Sequence, residues 1–323
     1  MTSIYKINDA AFIHVSPHDY TLGDIKNLCP LDNRHDFGKP NCTLGVFEQF
    51  PRELFCMIFN LLDLQSVTNL RRVNKQARLL VDSIPEYRTT IECSPTSIQA
   101  SLSIGSARWF SCRDLYEKLV TAECDICGDF GGYLYLVTCR RVCYRCFTEN
   151  TSYQPLLEKV VLQRFGLHPR HLDALPSMQS LRGTYSTHPN QRYTSASLRL
   201  FDYDSARQAG ISVHGSADAM EKYASNLEFN RLEKFRPRSI RRRQPLRDEP
   251  YDHVHNPNRF MGIIRAPFLK RSSGTIFQEW GFNCFGCNDP DVPPPCHTRR
   301  LYTAESFKHH TRKCGEIING KHI

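Results

Sequence analysis

The sequence has 323 residues, of which 40% are hydrophobic and 23% are charged, and its formal net charge is +9. This length and ordinary composition predict more than one folded unit and exclude wholesale disorder. The fourteen cysteines do not fit a disulfide framework if the chain stays in a reducing compartment, so metal ligation is the first hypothesis to consider.

The N-terminal residues predict an intracellular protein, cytoplasmic or nuclear. Residues 1–15 include Lys6, Asp9 and His14 and therefore lack the apolar core of a secretory signal. The most apolar stretch, residues 55–62, is too short to cross a bilayer. We therefore expect no membrane-spanning helix.

The positive charge is concentrated in one segment. Residues 231–247 carry eight basic residues and one acidic residue, Glu233. A run such as Arg241-Arg242-Arg243 is typical of a solvated linker, although it could also direct nuclear import or contact phosphates. Because the excess is confined to this stretch, we do not expect a basic docking face for nucleic acid.

Turn residues and apolar periodicity divide the chain into five segments. We predict a loosely ordered leader at 1–44, three closely spaced helices at 45–92, helices and a cysteine module at 93–180, a mixed region with the basic linker at 181–256, and a second cysteine module at 257–323. The predicted fold class is multi-domain and mainly α, with an N-terminal three-helix unit and small α+β modules stabilised by zinc.

The three-helix unit has clear boundary signals. Pro51 suits the first turn of the first helix, Asp63 suits the cap of the second, and Pro85 suits the end of the third. The first helix carries apolar side chains in almost every direction, and such a helix must be covered all round. Its short neighbours cover one side, so either the rest of the chain or the groove of a partner is expected to cover the other.

Residues 50–74 also carry a family pattern. It consists of Phe50-Pro51-Arg52-Glu53-Leu54, Ile58, Leu61-Leu62-Asp63-Leu64, Ser66-Val67 and Leu70-Arg71-Arg72-Val73-Asn74. This pattern resembles the F-box, whose first two helices dock on the Skp-type adaptor of a cullin-based ubiquitin ligase. The resemblance implies a non-enzymatic adaptor protein and an adaptor-binding role for Pro51, Leu54, Ile58, Leu61, Leu62 and Leu64.

Two Cys-x-x-Cys pairs lie in the middle of the chain. Cys124 with Cys127 and Cys143 with Cys146 are separated by fifteen residues, the spacing of a structural zinc site with four cysteine ligands. Cys139 is an alternative ligand. A closed set of four thiolates leaves no open coordination position, which argues against a catalytic zinc.

The second cysteine cluster contains Cys284 and Cys287, followed by His310 and Cys314. The i and i+4 spacing of the last two puts them on one face of a predicted helix. We predict a Cys-Cys-His-Cys zinc site from these four residues. Three open alternatives are Cys296, His297 and His309. The expected cofactor content is therefore two structural zinc ions.

The order of the features adds to the resemblance. The pattern at 50–74 is followed by Ile84-Pro85-Glu86-Tyr87-Arg88, by Trp109-Phe110 and by the two central cysteine pairs. This order resembles a group of fungal F-box proteins with appended zinc modules. The leading hypothesis is an F-box substrate receptor whose zinc-stabilised remainder presents a protein target to the ligase. The alternatives are a zinc-dependent nucleic-acid-binding protein and a structural zinc protein without a ligase partner.

Overall fold

The computed structural model describes residues 11–12, 20–25, 28–31, 38, 43–45, 49–185, 192–194, 197–235, 256–272, 274–287, 299–318 and 321–322. Arg241-Arg242-Arg243, Cys296 and His297 lie outside these residues. The described α-helices are α1 (Arg52–Leu61), α2 (Leu64–Arg71), α3 (Lys75–Asp82), α4 (Pro85–Cys93), α5 (Pro95–Ser103), α6 (Cys112–Leu119), α7 (Tyr144–Glu149), α8 (Glu158–Arg164), α9 (Tyr203–His214), α10 (Ala217–Phe235), α11 (Asn258–Met261) and α12 (Ala304–Cys314). Among them, none combines the length and the apolar character needed to cross a bilayer.

The strands are short and form small antiparallel sheets. They are β1 (Ala11–Phe12), β2 (Tyr133–Tyr135), β3 (Arg140–Val142), β4 (Leu156–Leu157), β5 (Ser177–Gln179), β6 (Gly183–Tyr185), β7 (Arg192–Thr194), β8 (Arg199–Phe201), β9 (Ile263–Arg265), β10 (Phe268–Ser272), β11 (Thr275–Glu279), β12 (Asn283–Cys284), β13 (Ile317–Ile318) and β14 (Lys321–His322). Within the described residues, two sheets have three strands, in the orders β3-β2-β9 and β4-β8-β5. The remaining pairs are β1-β12, β6-β7, β10-β11 and β13-β14.

The predicted helical trio corresponds to α1, α2 and α3. Asp63 caps α2 by accepting a hydrogen bond from the Ser66 amide at 2.9 Å, as the sequence predicts. Asn74 caps α3 through the Ala77 amide at 2.7 Å. Pro85 lies beyond the end of α3 and occupies the first turn of α4, where its fixed φ suits helix initiation.

Strand β2 lies inside the largest apolar cluster of the described residues. It pairs with β3, the next strand in the chain, and with β9, which follows much later. The cluster includes Leu134 of β2, Ile264 of β9, and Phe55 and Val81 from the helical trio. One continuous core therefore joins the trio to the central cysteine module and to β9, so the predicted boundaries at residues 92 and 256 do not coincide with breaks in the core.

A second apolar cluster is formed by α8, α9, α10 and the paired strands β4 and β8. Val161, Phe165, Phe201 and Met220 are buried in it. Helix α9 crosses close to the end of α8 at Gly210, where an added Cβ would lie 2.9 Å from the carbonyl oxygen of Phe165. This contact requires glycine for close approach of the two backbones.

The described parts of the N-terminal segment are packed against the rest of the protein, whereas most of residues 1–44, predicted to be a loosely ordered leader, lie outside the described residues. Leu22 is fully buried in the large cluster. The Cys29 amide donates a hydrogen bond to Ser103 Oγ at 2.6 Å, and Arg71 donates to the carbonyl oxygen of Leu31 at 3.3 Å. At its other end, β1 pairs Ala11 with Cys284. The segment therefore connects the helical trio to the second cysteine cluster.

Candidate partner-binding face and metal centres

Helix α1 has one buried and one exposed apolar face. Phe55 and Phe59 are buried in the core. On the other side, the exposed apolar residues recur at i, i+3, i+4 and i+7, the spacing of a single helix face. These residues, called the α1 stripe below, are Leu54, Met57, Ile58 and Leu61, and Leu61 keeps 87% of its surface accessible.

The structure divides the six residues predicted to bind an adaptor. Leu54, Ile58 and Leu61 belong to the α1 stripe, and exposed Pro51 immediately precedes the helix. Leu62 is half-buried and packs against the core, and Leu64 is fully buried in it. Leu64 is therefore placed to support the trio from within and does not share the exposed face. Met57 was not among the predicted residues, although its position three residues after Leu54 was a usable signal.

The four cysteines of the central module come together. The ligand atoms of Cys124, Cys127, Cys143 and Cys146 all lie within 4.8 Å of one another. The Sγ atoms of Cys127 and Cys143 are 3.6 Å apart. Tetrahedral zinc with Zn–S bonds of about 2.3 Å requires sulfur atoms roughly 3.8 Å apart, so the spacing suits this metal.

Two local turns present these thiols. Gly128 adopts a positive φ of 74° directly after Cys127, and its amide donates to the carbonyl oxygen of Cys124 at 3.1 Å. Cys143 stands at the N-terminus of α7, where its Sγ accepts a hydrogen bond from the Cys146 amide at 3.4 Å. The β2-β3 hairpin lies between the two cysteine pairs and brings the two turns together.

A buried arginine fixes the hairpin next to this cluster. The Arg141 guanidinium is fully buried and donates hydrogen bonds to the carbonyl oxygens of Lys118, Pro267 and Ala266 at 2.9, 3.1 and 3.4 Å. Burial lowers the pKa of Arg141 to about 9, so the side chain remains charged at neutral pH. Because the Arg141 carbonyl also accepts from the Asp125 amide at 2.9 Å, this one residue connects α6, the first cysteine turn and the segment after β9.

The electrostatics of the four thiols favour a bound cation. A hydrogen bond from the Cys143 thiol lowers the pKa of Cys124 to about 4, and the same bond raises the pKa of Cys143. Burial raises the pKa of Cys146 to about 12. Four thiols at this spacing cannot all ionise by themselves because like charges repel. A divalent cation would make four thiolates favourable together.

Cys139, the alternative ligand in this module, lies outside the set of four. It is buried and has a φ of 52°, and burial raises the pKa of its thiol. A buried thiol of this kind is unreactive and remains protonated.

The second cluster consists of Cys284, Cys287, His310 and His322, whose ligand atoms also lie within 4.8 Å of one another. Cys284 ends β12, Cys287 ends the short turn that follows, His310 lies on α12 and His322 on β14. Cys314, the predicted fourth ligand, lies on α12 outside this set and is exposed. His309 is exposed as well, and the cluster contains His310 and not His309.

The ligand set predicted from the sequence did not include His322, which lies eight residues beyond Cys314. A usable signal was present, since Asn319-Gly320 separates Ile317-Ile318 from Lys321-His322. An Asn-Gly pair between two extended residue pairs is a strong hairpin signal. A hairpin at this point would return the chain toward the preceding elements.

Comparison with known proteins gives one match. The model of the F-box family, described as the F-box domain, matches residues 47–89, which contain α1, α2 and α3. No curated protein and no solved structure matches the chain.

Proposed function

Starting from the F-box domain at residues 47–89, we propose that this chain is a substrate receptor that docks on a Skp-type adaptor and links a protein target to a cullin-based ubiquitin ligase. An F-box domain implies a role in substrate recognition by such ligases in general. The specific proposal for this chain is that the α1 stripe, together with Pro51, is the adaptor-binding face.

The α1 stripe is the observation that carries the proposal. Four large apolar side chains on one helix face are exposed, while the opposite face is buried in the core. Burying an aliphatic side chain contributes about 1.5–3 kcal/mol, so leaving a contiguous face in water is unfavourable unless a partner covers it. A helix face with this spacing suits a groove on another protein.

The continuity of the core supports a rigid receptor. Phe55 and Phe59, on the inner face of α1, belong to the same cluster as Leu134 and Ile264. A partner bound to the α1 stripe would therefore be held at a fixed position relative to the central module. This arrangement suits a receptor that presents a target in a fixed orientation.

We further propose that both cysteine clusters bind zinc and that both ions are structural. Thiolate and imidazole donors at tetrahedral spacing suit zinc, and four protein ligands leave no position for a catalytic water. Purified protein should carry two zinc ions per chain by elemental analysis. A folded chain with no zinc would contradict this part of the proposal.

The adaptor interface is tested by co-purification with a Skp-type adaptor. Leu61→Asp and Ile58→Asp should each abolish binding because the new carboxylate would be buried in the groove, which costs several kcal/mol. Leu61 is so exposed in the free chain that its substitution should change the free energy of unfolding by less than about 0.5 kcal/mol. Loss of binding could then not be attributed to unfolding.

The matched control is Val213→Asp, which introduces the same charge at an exposed apolar position of α9, outside the F-box domain. This variant should bind the adaptor like the wild type. Circular dichroism and zinc content should stay unchanged in all three variants. Undiminished binding of Leu61→Asp and Ile58→Asp would refute the interface and favour a structural zinc protein without a ligase partner.

A further inference from the structure

We infer that the second metal centre has two cysteine and two histidine ligands, that His322 completes it, and that Cys314 is not a metal ligand. The inference rests on the proposed zinc binding and assigns the ligands of the second ion. It concerns Cys284, Cys287, His310 and His322, which come from four separate elements of the chain.

The distances between donor atoms match one tetrahedral ion. His322 Nε2 lies 3.3 Å from the Sγ atoms of both Cys284 and Cys287. His310 Nε2 lies 3.4 Å from Cys287 Sγ. Zinc bonds of about 2.3 Å to sulfur and about 2.0 Å to nitrogen at a tetrahedral angle require a separation of roughly 3.5 Å between sulfur and nitrogen. Both histidines therefore direct Nε2 toward a common point with the cysteines.

The second ring nitrogen of His322 has a hydrogen-bond partner that fixes the tautomer. His322 Nδ1 lies 2.9 Å from the carbonyl oxygen of Gly315. A carbonyl oxygen can only accept, so Nδ1 carries the proton and the lone pair of Nε2 is free for a metal. Such a hydrogen bond from the non-ligating nitrogen is the usual support of a metal-binding histidine.

The orientation of His310 excludes Cys314 from the same ion. Cys314 Sγ lies 3.5 Å from His310 Nδ1, and the Tyr302 hydroxyl lies 3.3 Å from the same nitrogen. Nε2, the nitrogen that faces Cys287, is at the other edge of the ring. Cys314 is therefore next to the site but on the far side of the imidazole from the metal position, although its i+4 spacing from His310 suggested a shared ion.

Gly286 makes room for His322. It lies between Cys284 and Cys287, and an added Cβ would approach His322 Cδ2 to 2.9 Å and Nε2 to 3.0 Å. The imidazole therefore packs directly against the turn that carries both cysteines. Any side chain at this position would displace the nitrogen that we assign to the metal, which gives a second way to test the assignment without removing a ligand.

The experiment compares three variants of the full-length chain, His322→Ala, Gly286→Ala and Cys314→Ala. Zinc affinity is measured by competition with a chromogenic chelator, and the zinc of the central four-cysteine site serves as an internal reference in each variant. We expect His322→Ala to weaken the second zinc by about 100-fold or more, because even loss of a supporting hydrogen bond costs about 10- to 100-fold. Gly286→Ala should weaken it by about tenfold or more, and Cys314→Ala should leave it unchanged.

Cobalt or cadmium substitution gives an independent readout, because thiolate charge-transfer absorption and the cadmium NMR shift depend on how many sulfur atoms bind the ion. The second site should show two sulfur ligands in the wild type and in Cys314→Ala. Two results would overturn the ligand assignment without contradicting the proposal that the clusters bind zinc. One is a spectrum with three sulfur ligands in the wild type. The other is loss of the second zinc in Cys314→Ala but not in His322→Ala. Absence of zinc from the wild type would instead refute the proposal that the clusters bind zinc, and with it the inference.

Discussion

Removal of the Leu22 side chain tests whether the N-terminal segment is part of the fold. Leu22 is fully buried, and its neighbour Gly23 lies against Ile264 of β9, where an added Cβ would be 3.8 Å from the Ile264 Cβ. A buried Leu→Ala change typically costs about 2–5 kcal/mol through lost burial and the cavity left behind. Because one side of this cavity is a short segment that can relax inward, we expect about 2–4 kcal/mol for Leu22→Ala.

The assay is urea unfolding followed by circular dichroism at a fixed free zinc concentration, since bound metal stabilises the native state. The control is Leu79→Ala, the same chemical change at an exposed position of α3, which should alter the free energy of unfolding by less than about 0.5 kcal/mol. If Leu22→Ala cost less than the control, or if limited proteolysis removed residues 1–31 without loss of stability, the N-terminal segment would not be part of the stable fold.

Three further predictions concern other parts of the fold. Arg141→Lys keeps a buried charge but loses the planar fork that reaches three carbonyl oxygens, so it should lower the free energy of unfolding by about 1.5–3 kcal/mol. Arg140→Lys, at a half-exposed ion pair with Asp204, should lower it by less than about 1 kcal/mol. Equal effects of the two substitutions in urea unfolding would contradict this prediction. Gly210→Ala should destabilise the protein by about 1–3 kcal/mol through the clash with Phe165. This is the opposite of the usual effect, since alanine is favoured over glycine in a helix by about 1 kcal/mol. A stabilised variant would show that α8 and α9 are not in close contact. Burial raises the pKa of Asp202 above its ordinary value, so the folded state binds this proton more tightly than the unfolded state. The stability of the wild type relative to Asp202→Asn should therefore fall as the pH rises from about 4 through the folded pKa. A relative stability that rises with pH would mean that the hydrogen bonds from Ser205 outweigh burial.

Local signals in the sequence predicted local structure well. The cap at Asp63 is present as predicted, because it depends on residues only three positions apart. The position of α1 followed from Pro51 and the apolar run after it. These features need no knowledge of the rest of the chain.

Long-range contacts could not be predicted in the same way. Leu22 is buried in a cluster that includes Ile264 of β9, and nothing in the composition of the first 44 residues indicates that partner. The pairing of β2 with β9 joins two short strands that lie far apart in sequence. Leu64 shared the apolar pattern of its neighbours, and only the packing of α2 showed that it faces inward.

The predicted metal ligands show the same contrast between local signals, which the sequence contains, and long-range contacts, which it does not. The Cys124/Cys127 and Cys143/Cys146 pairs are close in sequence, and the predicted set is the one that the structure brings together. In the second cluster, helical spacing favoured Cys314 as the partner of His310. The orientation of the imidazole ring, which decides which nitrogen faces the cysteines, is a tertiary feature that spacing alone does not contain.

The pairing of β2 with both β3 and β9 has a consequence for the order of events during synthesis. About 120 residues separate the end of β3 from the start of β9, which corresponds to roughly 6–25 s at ordinary translation rates. During this interval the β2-β3 hairpin and all four central cysteines have been made, but the apolar edge of β2 has no third strand. Unpaired apolar edges are the sites at which nascent chains associate. Early zinc capture by the four central cysteines would hold the hairpin together until β9 arrives, so ribosome-bound chains arrested after residue 200 should aggregate more readily when zinc is withheld.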